Sequence, residues 1–265
     1  MQPIRLGETT RHFEQIDSTN TWLLKSAADL PSGTVVTAEF QTAGRGRLGR
    51  AWDAAAAQSI LMSVLLHVRA GDPLMQHASW LAGVAVVRAI KDATSIRVRL
   101  RWPNDLTIDG RKCGGILVET TALPRDACDA DDASRLWAVV IGIGINCNQS
   151  ADSFPSELGA KATSLAIASG RAIERAALTR AVLSELEQTL AAADNAIALA
   201  HKREAWIAAC DDIGRATVLH RDGESFRGIV RSITGDGDLL VELPGGEVMR
   251  FEAAKTTRLW AHESA

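Results

Sequence analysis

Residues 97–120 read RVRLRWPNDLTIDGRKCGGILVET and carry the clearest strand signals in the chain. Apolar residues alternate with arginines over residues 96–102, which predicts a half-buried strand with one basic face. Pro103 cannot donate to a strand ladder and so ends this strand. Asp109-Gly110 is a turn pair typical of β-hairpins, and the apolar stretches on its two sides are predicted to pair. This part of the chain is therefore predicted to belong to an antiparallel or mixed sheet.

Strands and helices are predicted on both sides of this stretch. Further strands are predicted at residues 34–40, 59–68 and 136–145, and helices after the capping residues 18–21, near residues 74–90, and over residues 172–206 as one long helix or two broken ones. Short strands separated by glycine-rich turns are predicted at residues 216–220, 226–233, 239–243 and 247–251. That spacing predicts a small antiparallel barrel docked on the main domain. We expect an α+β protein of two parts, residues 1–211 and residues 212–265.

Composition and charge limit the classes of function. The chain has 265 residues, with 29 Lys and Arg against 32 Asp and Glu, so its formal net charge is -3. Such a chain has no overall positive field to gather nucleic acid. No apolar run approaches the roughly 20 residues that span a bilayer, and the N-terminus lacks the apolar segment of a secretory signal. We therefore expect a cytoplasmic protein without a membrane partner.

The cysteines predict neither a zinc site nor a disulfide framework. Cys113, Cys128, Cys147 and Cys210 lie 15, 19 and 63 residues apart, a spacing that fits neither pattern. We expect all four to be free thiols.

A glycine- and arginine-rich loop at residues 44–52 reads GRGRLGRAW and is called the arginine loop below. Its glycines leave the backbone free to adopt positive φ, and its arginines bind phosphate or carboxylate oxygens bidentately. Backbone N–H groups of such a loop can also form an anion nest. The alternative interpretation is a flexible basic surface loop. A G-x-G-x-x-G match is present, but the βαβ unit and acidic residue of a dinucleotide fold do not follow it.

The strand end at Asn104 and Asp105 and the strand near Lys112 supply further polar groups. Asn104 and Asp105 can reach a nucleotide or Mg²⁺, although a type I turn capped by both is the simpler interpretation when they are taken alone. A structural bulge explains the glycines after Lys112 but not the lysine. Together with the arginine loop, these groups describe a site that activates a carboxylate with ATP. Arg, Lys and Mg²⁺ would neutralise the charge that develops when a carboxylate attacks an α-phosphate.

Five motifs follow one another along the chain: DSTN at residues 17–20, GRGRLGRAW at 44–52, RWPNDL at 101–106, KCGGILVE at 112–119 and GIGINCN at 142–148. As an ordered set they strongly resemble the motifs of the biotin–protein ligases, also called biotin–[acetyl-CoA-carboxylase] ligases. The resemblance implies a two-step reaction. Biotin and ATP form biotinyl-5′-AMP and pyrophosphate, and a lysine of the biotin carboxyl carrier protein of acetyl-CoA carboxylase then attacks the anhydride and releases AMP.

The resemblance also implies roles for individual residues. Biotin is expected to contact Ser18, Thr19, Asn20, Gln41, Gly44, Arg45, Gly46, Arg47, Lys112, Gly115 and Gly142. ATP is expected to contact Arg47, Trp52, Asn104, Asp105, Lys112 and Asn146, with Mg²⁺ at Asp105. Lys112, Arg45 and Arg47 are the expected catalytic residues. The chemistry agrees for the ureido head of biotin, because a buried urea needs both donors and acceptors.

The resemblance further implies a class II synthetase-like α+β fold of the biotin/lipoate ligase type with an SH3-like C-terminal barrel. The chain departs from the family pattern at Arg101, where lysine is common, and at Leu48, where arginine is common. The first site motif begins about 17 residues into the sequence, so we expect a monofunctional ligase that does not bind DNA. A weak homodimer through an exposed strand edge is left open.

Two other functions are kept as alternatives. A lipoate- or octanoate-transferring enzyme resembles this architecture, but an alkyl ligand would leave the polar residues 18–20 and Gln41 unpaired. A nucleic-acid-binding module would use the arginine loop, the basic face at Arg97, Arg99 and Arg101, and the small barrel. The acidic balance of the chain opposes that second alternative.

Overall fold

The computed structural model describes residues 4–124, 135–156, 158–159 and 161–258. Within these residues, seven strands form the larger sheet: β1 (Thr10–Ile16), β2 (Val35–Gln41), β3 (Ser59–Arg69), β4 (Arg99–Arg101), β5 (Asp105–Ile108), β6 (Arg111–Ala122) and β7 (Leu136–Asn146). Their spatial order is β1-β2-β3-β7-β6-β5-β4. The β1–β2 pair is parallel and the other neighbouring pairs are antiparallel, so the sheet is mixed, as predicted.

Helices cover both faces of this sheet. The described residues contain α1 (Thr19–Ser26), α2 (Leu74–Thr94), α3 (Leu165–Ser169), α4 (Arg175–Leu190) and α5 (Ala196–Ala209). Met62 and Val64 of β3 belong to the main core with α2, whereas Leu65 packs with Leu23 of α1 in a second cluster. Because alternate side chains of a strand point to opposite faces, this two-sided burial explains why β3 is largely apolar and does not alternate between apolar and polar residues.

Most predicted elements are confirmed. The strands at residues 34–40, 59–68 and 136–145 correspond to β2, β3 and β7. Asp109 and Gly110 have φ of 49° and 76°, the positive values that a tight hairpin turn requires, and they join β5 to β6.

One prediction of length needs correction, and one open alternative is resolved. The strand expected over residues 96–102 is shorter: β4 comprises Arg99–Arg101 at the edge of the sheet, where it pairs with β5, and α2 continues to Thr94. The helical region predicted at residues 172–206 as one helix or two broken ones consists of two helices, α4 and α5. Asn195 Oδ1 caps α5 by accepting from the N–H groups of Ile197 and Ala198, each at 3.0 Å.

The C-terminal residues form a separate antiparallel sheet. Its strands are β8 (Ala216–Arg221), β9 (Glu224–Ile233), β10 (Leu239–Glu242), β11 (Val248–Phe251) and β12 (Thr257–Arg258), in the order β11-β10-β9-β8-β12. The first four correspond to the four predicted short strands. Residues 259–265 of the predicted C-terminal part and Cys128 lie outside the described residues.

Asp212 joins the two sheets at the strand end of β4. Its Oδ2 accepts from the backbone N–H of Trp102 at 2.5 Å, and its Oδ1 pairs with the guanidinium of Arg258. The indole N–H of Trp102 donates to Gly237 O at 2.8 Å. Asp212 and Trp102 are both buried, so these bonds are shielded from water and hold the C-terminal sheet against the strand end.

No helix of the described residues combines the length and the apolar character needed to cross a lipid bilayer.

We predict that Asp212→Asn lowers the free energy of unfolding by about 3–5 kcal/mol, because it leaves the buried Arg258 guanidinium without its charge partner. Denaturant unfolding followed by tryptophan fluorescence measures the change. The control is Asp236→Asn, whose ion pair with Arg250 is solvent-exposed and should be worth less than about 1 kcal/mol. Equal, small losses in both variants would contradict a supporting role for Asp212.

Candidate active site

A polar pocket forms where β1 leads into α1. Ser18 is the N-cap of α1, and its Oγ accepts from Thr21 N–H at 3.4 Å. The N–H and Oγ1 of Thr19 face Gln41 Oε1 at 2.8 and 3.0 Å. A backbone N–H can only donate, so the amide oxygen of Gln41 is the atom turned toward Thr19.

Asn20 forms the floor of the same pocket. Its Nδ2 donates to Leu117 O at 3.2 Å and to Glu119 Oε2 at 2.9 Å. Its Oδ1 lies 2.6 Å from Ser63 Oγ, which in turn lies 2.7 Å from Thr19 Oγ1. Both partners of Nδ2 are pure acceptors, so the orientation of the Asn20 amide is determined by the network.

Gly142 makes room for the Asn20 amide. A Cβ at position 142 would lie 2.2 Å from Asn20 Oδ1. A Cβ at Gly115 would meet its nearest neighbour, Lys112 Cε, at an ordinary 3.6 Å. Contact of Gly142 with biotin stays a prediction, and the packing of Asn20 already excludes a side chain at this position.

The arginine loop folds back on itself at the mouth of the cleft. Gly46 N–H donates to Arg50 O at 2.7 Å, and Leu48 adopts a left-handed conformation with φ 54°. Arg45 Nη2 pairs with Glu119 Oε2 at 2.7 Å. The loop is therefore an ordered basic turn with one side-chain anchor in the main sheet.

Arg47 anchors the arginine loop to the C-terminal part of the chain. Its guanidinium donates to the carbonyl oxygens of Ala253 and Thr256. Burial lowers the pKa of Arg47 by desolvation, the charge of Asp105 opposes that shift, and the charge of Arg50 adds to it. An arginine stays charged under such a shift, so Arg47 remains a partly buried cation that lines the cleft.

Lys112 and Asp105 form an ion pair inside the cleft. Lys112 Nζ lies 2.5 Å from Asp105 Oδ1, and both side chains are largely shielded from solvent. Asn104 lies beside them, but its Nδ2 donates to Ile116 O at 2.6 Å and so holds β6 in place. Lys112 Nζ also lies 5.5 Å from the ring centroid of Trp52, within the range of a cation–π contact.

Trp52 lies flat against β7. A Cβ at Gly144 would come within 2.7 Å of the Trp52 ring, so the glycine is required for this close packing. Within the described residues, the buried Nε1 of Trp52 has no hydrogen-bond partner. The ring thus closes one wall of the cleft and offers a donor there.

Most of the residues expected in a site share one cleft of about 1000 Å³, counted to its open mouth. They are Ser18, Thr19, Asn20, Gln41, Arg45, Gly46, Arg47, Trp52, Asn104, Asp105, Lys112, Gly115 and Gly142. Gly44 and Asn146 do not line it. Gly44 packs against the carbonyl of Trp52, and Asn146 is buried with its Nδ2 on Thr163 O at 3.1 Å. The expected nucleotide contact of Asn146 stays a prediction.

Ser63 and Glu119 are polar residues of this site that the sequence analysis missed. Ser63 is a hydroxyl in the otherwise apolar run of β3, which is a signal that could have singled it out. Glu119 ends the motif KCGGILVE, but nothing in its sequence neighbourhood indicates that it meets Asn20 and Arg45. Their roles follow from pairing between distant strands.

The three described cysteines lie away from this chemistry. Cys113, Cys147 and Cys210 are buried free thiols, and none of them lines the cleft. Burial raises the pKa of Cys147 to about 12, and the pKa values of Cys113 and Cys210 are also raised by burial. Thiols held in this way are poor nucleophiles, because the thiolate is the reactive form.

Cations and amide groups that converge on one side of a mixed sheet are what a protein needs to hold a small acid next to a phosphate. Fold and cleft together define an α+β protein with a polar, cationic cleft on one side of its main sheet. The chain belongs to the biotin/lipoate A/B protein ligase family, whose family model matches residues 12–146.

Individual relatives carry related names. The chain is 34% identical over 248 residues to a biotin–[acetyl-CoA-carboxylase] ligase of Mycobacterium tuberculosis, a match that covers 89% of this chain and 84% of that protein. It is 44% identical over 155 residues to a bifunctional ligase/repressor BirA of Bacillus spizizenii, covering 58% of this chain. The chain spans only 44% of the length of that second relative.

Solved structures of similar fold support the architecture. A biotin protein ligase from Aquifex aeolicus in complex with biotin and ATP matches with a TM-score of 0.78 at 24% identity, over 96% of this chain and 100% of that chain. At this level of identity the match is evidence for the fold. The predicted fold type is therefore confirmed, including a C-terminal β-sheet.

We predict that Gly142→Ala lowers the free energy of unfolding by about 1–3 kcal/mol, because the added methyl must displace the buried Asn20 amide. Gly115→Ala is the matched control. Its methyl meets only ordinary contacts, so the change should be close to neutral. Denaturant unfolding of both variants measures the difference, and equal stabilities would show that Asn20 is free to move.

We predict that iodoacetamide at pH 8 leaves Cys113, Cys147 and Cys210 unmodified in the native protein. Their raised pKa values keep the thiols protonated at that pH, and burial excludes the reagent. Peptide mass spectrometry measures the labelling, with the denatured protein as the control that must react. Rapid native labelling of Cys147 would contradict its place in the core.

Proposed function

We propose that the protein is a biotin–[acetyl-CoA-carboxylase] ligase. It would join biotin to ATP to form biotinyl-5′-AMP and pyrophosphate, and would then transfer the biotinyl group to a lysine of the biotin carboxyl carrier protein of acetyl-CoA carboxylase. The proposal rests on one observation. A polar pocket suited to a urea group and the Lys112–Asp105 ion pair lie in the same cleft. The Mycobacterium tuberculosis relative, which bears the same enzyme name, supports it over most of both chains.

The polar pocket lacks one hydrogen-bond donor. Three short contacts join its polar atoms. They run from Thr19 Oγ1 to Gln41 Oε1 at 3.0 Å, from Ser63 Oγ to Thr19 Oγ1 at 2.7 Å, and from Ser63 Oγ to Asn20 Oδ1 at 2.6 Å. The two hydroxyl groups bring only two hydrogens to these three contacts, because each hydroxyl donates once. A ligand that brings N–H groups would supply the missing donor. The ureido group of biotin has such N–H groups, and an alkyl chain has none.

Lys112 is suited to the acid-activation step. The carboxylate of biotin would attack the α-phosphate of ATP, the bond to the pyrophosphate leaving group would break, and an acyl-phosphate anhydride would remain. Two anions approach each other in this step, so a cation held between them lowers the barrier. Lys112 and the arginine loop place positive charge at that position. In the second step the amine of the carrier lysine would attack the acyl carbon, and AMP would leave.

Asp105 fits a Mg²⁺ ion that arrives with ATP. Within the described residues there is no cluster of three or more His, Cys, Asp or Glu that could form a metal cage. Mg²⁺ commonly binds substrate phosphates and one or two carboxylates, so one cleft carboxylate is sufficient. The ion would neutralise phosphate charge, while Asp105 would continue to orient Lys112.

The lipoate or octanoate alternative belongs to the same family but explains the pocket less well. An alkyl or dithiolane head would leave Thr19 Oγ1 and Asn20 Oδ1 to share the single hydrogen of the Ser63 hydroxyl. The described cysteines are too buried to carry an acyl group.

The nucleic-acid alternative is also weakened, because Arg99 of the predicted basic face is paired with Asp211 at 2.8 Å. We place the reaction in the cytoplasm, because it consumes ATP and the described thiols are free.

We expect purified protein with Mg²⁺ to exchange labelled pyrophosphate into ATP when biotin is added. Lipoate and octanoate are tested in parallel and should support no exchange, because they do not satisfy the polar pocket. Exchange with lipoate alone would overturn the substrate. Failure of all three acids to support exchange would overturn the activity.

The same assay tests the role of Lys112. Lys112→Ala should reduce biotin-dependent exchange by about 100-fold or more, since it removes the cation proposed to neutralise the reacting oxygens. The control is Lys25→Ala, which removes an exposed lysine outside the cleft and should leave exchange unchanged. Near-normal exchange in Lys112→Ala would refute the assignment.

A further inference from the structure

The Lys112 side chain does not point where a regular strand would direct it. In β6, Leu117 lines the cleft and Glu119 bonds to the polar pocket, whereas Ile116 is buried in the main core and Val118 packs against it. Alternate residues of a strand share a face, so a regular β6 would turn Lys112 toward the core together with the other even-numbered residues. Lys112 nevertheless lines the cleft, so the alternation is interrupted between it and this part of β6.

One extra residue in β6 accounts for the direction of the lysine. Asp105 and Thr107 of β5 are two residues apart, but their partners in β6, Gly115 and Lys112, are three residues apart. The register of the two strands shifts between Leu106 and Thr107. Residues directly opposite each other in an antiparallel pair share a face. This β-bulge therefore brings Lys112 to the face of Asp105, where the two side chains form their ion pair.

A separate segment, residues 161–163, binds the backbone of Lys112 next to the bulge. The N–H of Lys112 donates to Lys161 O at 2.7 Å, and the carbonyl oxygen of Lys112 accepts from the N–H of Thr163 at 2.8 Å. The segment runs parallel to β6, with Ala162 opposite Lys112. Both backbone hydrogen-bonding groups of Lys112 are therefore bound by residues outside the β5–β6 hairpin.

The segment is itself fixed to the chain at the end of β7. Thr163 and Ser164 are fully buried. The carbonyl oxygen of Thr163 accepts from Asn146 Nδ2 at 3.1 Å, and Ser164 Oγ donates to Gln149 O at 2.7 Å. Thr163 Oγ1 has no partner within the described residues, so Thr163 acts through its backbone groups. Buried hydrogen bonds of this kind give the Lys112 backbone a stiff support.

We propose that Thr163 is a positioning residue for Lys112, whose backbone N–H holds the bulge of β6 in the form that directs the lysine into the cleft. The inference rests on the proposed function, because Lys112 is the cation assigned to the activation step. The charge of a lysine sits at the end of a flexible four-carbon stem, so a turn of the backbone moves it away from the reacting oxygens. A misplacement of about 1 Å can cost a reaction about 100-fold.

Thr163→Pro and Thr163→Val separate the backbone N–H from the side chain. Both variants lose the hydroxyl, but only proline also removes the N–H that donates to Lys112 O. In biotin-dependent pyrophosphate exchange, kcat of Thr163→Pro should be about tenfold below that of Thr163→Val. The two variants are then compared in the Lys112→Ala background. There the proline should cost less than about twofold, because the side chain that the N–H positions is absent.

A second variant covers the case in which Thr163→Pro does not fold by circular dichroism. Ser164→Ala removes the bond to Gln149 O and loosens the same segment, so exchange should fall by about threefold, again only when Lys112 is present. The control for lost stability is Val182→Ala in the buried face of α4. It should change exchange by the same factor with and without Lys112.

Three results would overturn the positioning role. They are equal exchange in Thr163→Pro and Thr163→Val, a proline effect of the same size with and without Lys112, and an unfolded Thr163→Pro together with unchanged exchange in Ser164→Ala. Absence of biotin-dependent exchange in the native sequence would instead overturn the proposed function.

Discussion

The cleft depends on glycines of the paired strands β6 and β7, above all Gly142 and Gly144 of β7. Gly142 pairs with Leu117 and Gly144 pairs with Gly115, and this register places bare backbone beneath Asn20 and Trp52. Both side chains can therefore lie directly on the sheet, one as the floor of a polar pocket and the other as an apolar wall. A side chain at either position would push its neighbour into the space that the ligand would occupy. The register of one strand pair thus determines the depth of the site.

Positive charge in the cleft is held in place before any ligand arrives. Lys112 is paired with Asp105, Arg45 with Glu119, and Arg47 with carbonyl oxygens of the C-terminal part. Each partner orients its cation, so less reorganisation is needed when an anionic ligand binds. Each contact must also share its cation with the ligand, and the half-exposed Arg45–Glu119 pair is the easiest to rearrange. Lys112 and Arg47 are therefore held in position before a ligand binds, whereas Arg45 can be rearranged when it does.

The C-terminal sheet completes the site from outside the main domain. Asp212 holds the backbone of Trp102 and the guanidinium of Arg258, and Arg258 itself lines the cleft. The strand end that carries Asn104 and Asp105 is thus supported from behind by a buried ion pair. Arg47 adds a second link through the loop. A change in the C-terminal sheet would reach the cleft through these two contacts.

The sequence by itself determined the strand and helix pattern, the hairpin at Asp109-Gly110 and the set of motifs that mark the family, because these depend on local periodicity, turn chemistry and short-range spacing. It also indicated most of the residues that line the cleft. The tertiary structure was needed to show that Glu119 and Ser63 hydrogen-bond to the pocket residues Asn20 and Thr19. It was also needed to show that Arg47 reaches the C-terminal part and that Asn146 does not line the cleft. These facts depend on which distant strands pair and in what register, and a one-residue shift would turn each side chain to the opposite face. No local pattern in the sequence indicates which strands pair or in what register.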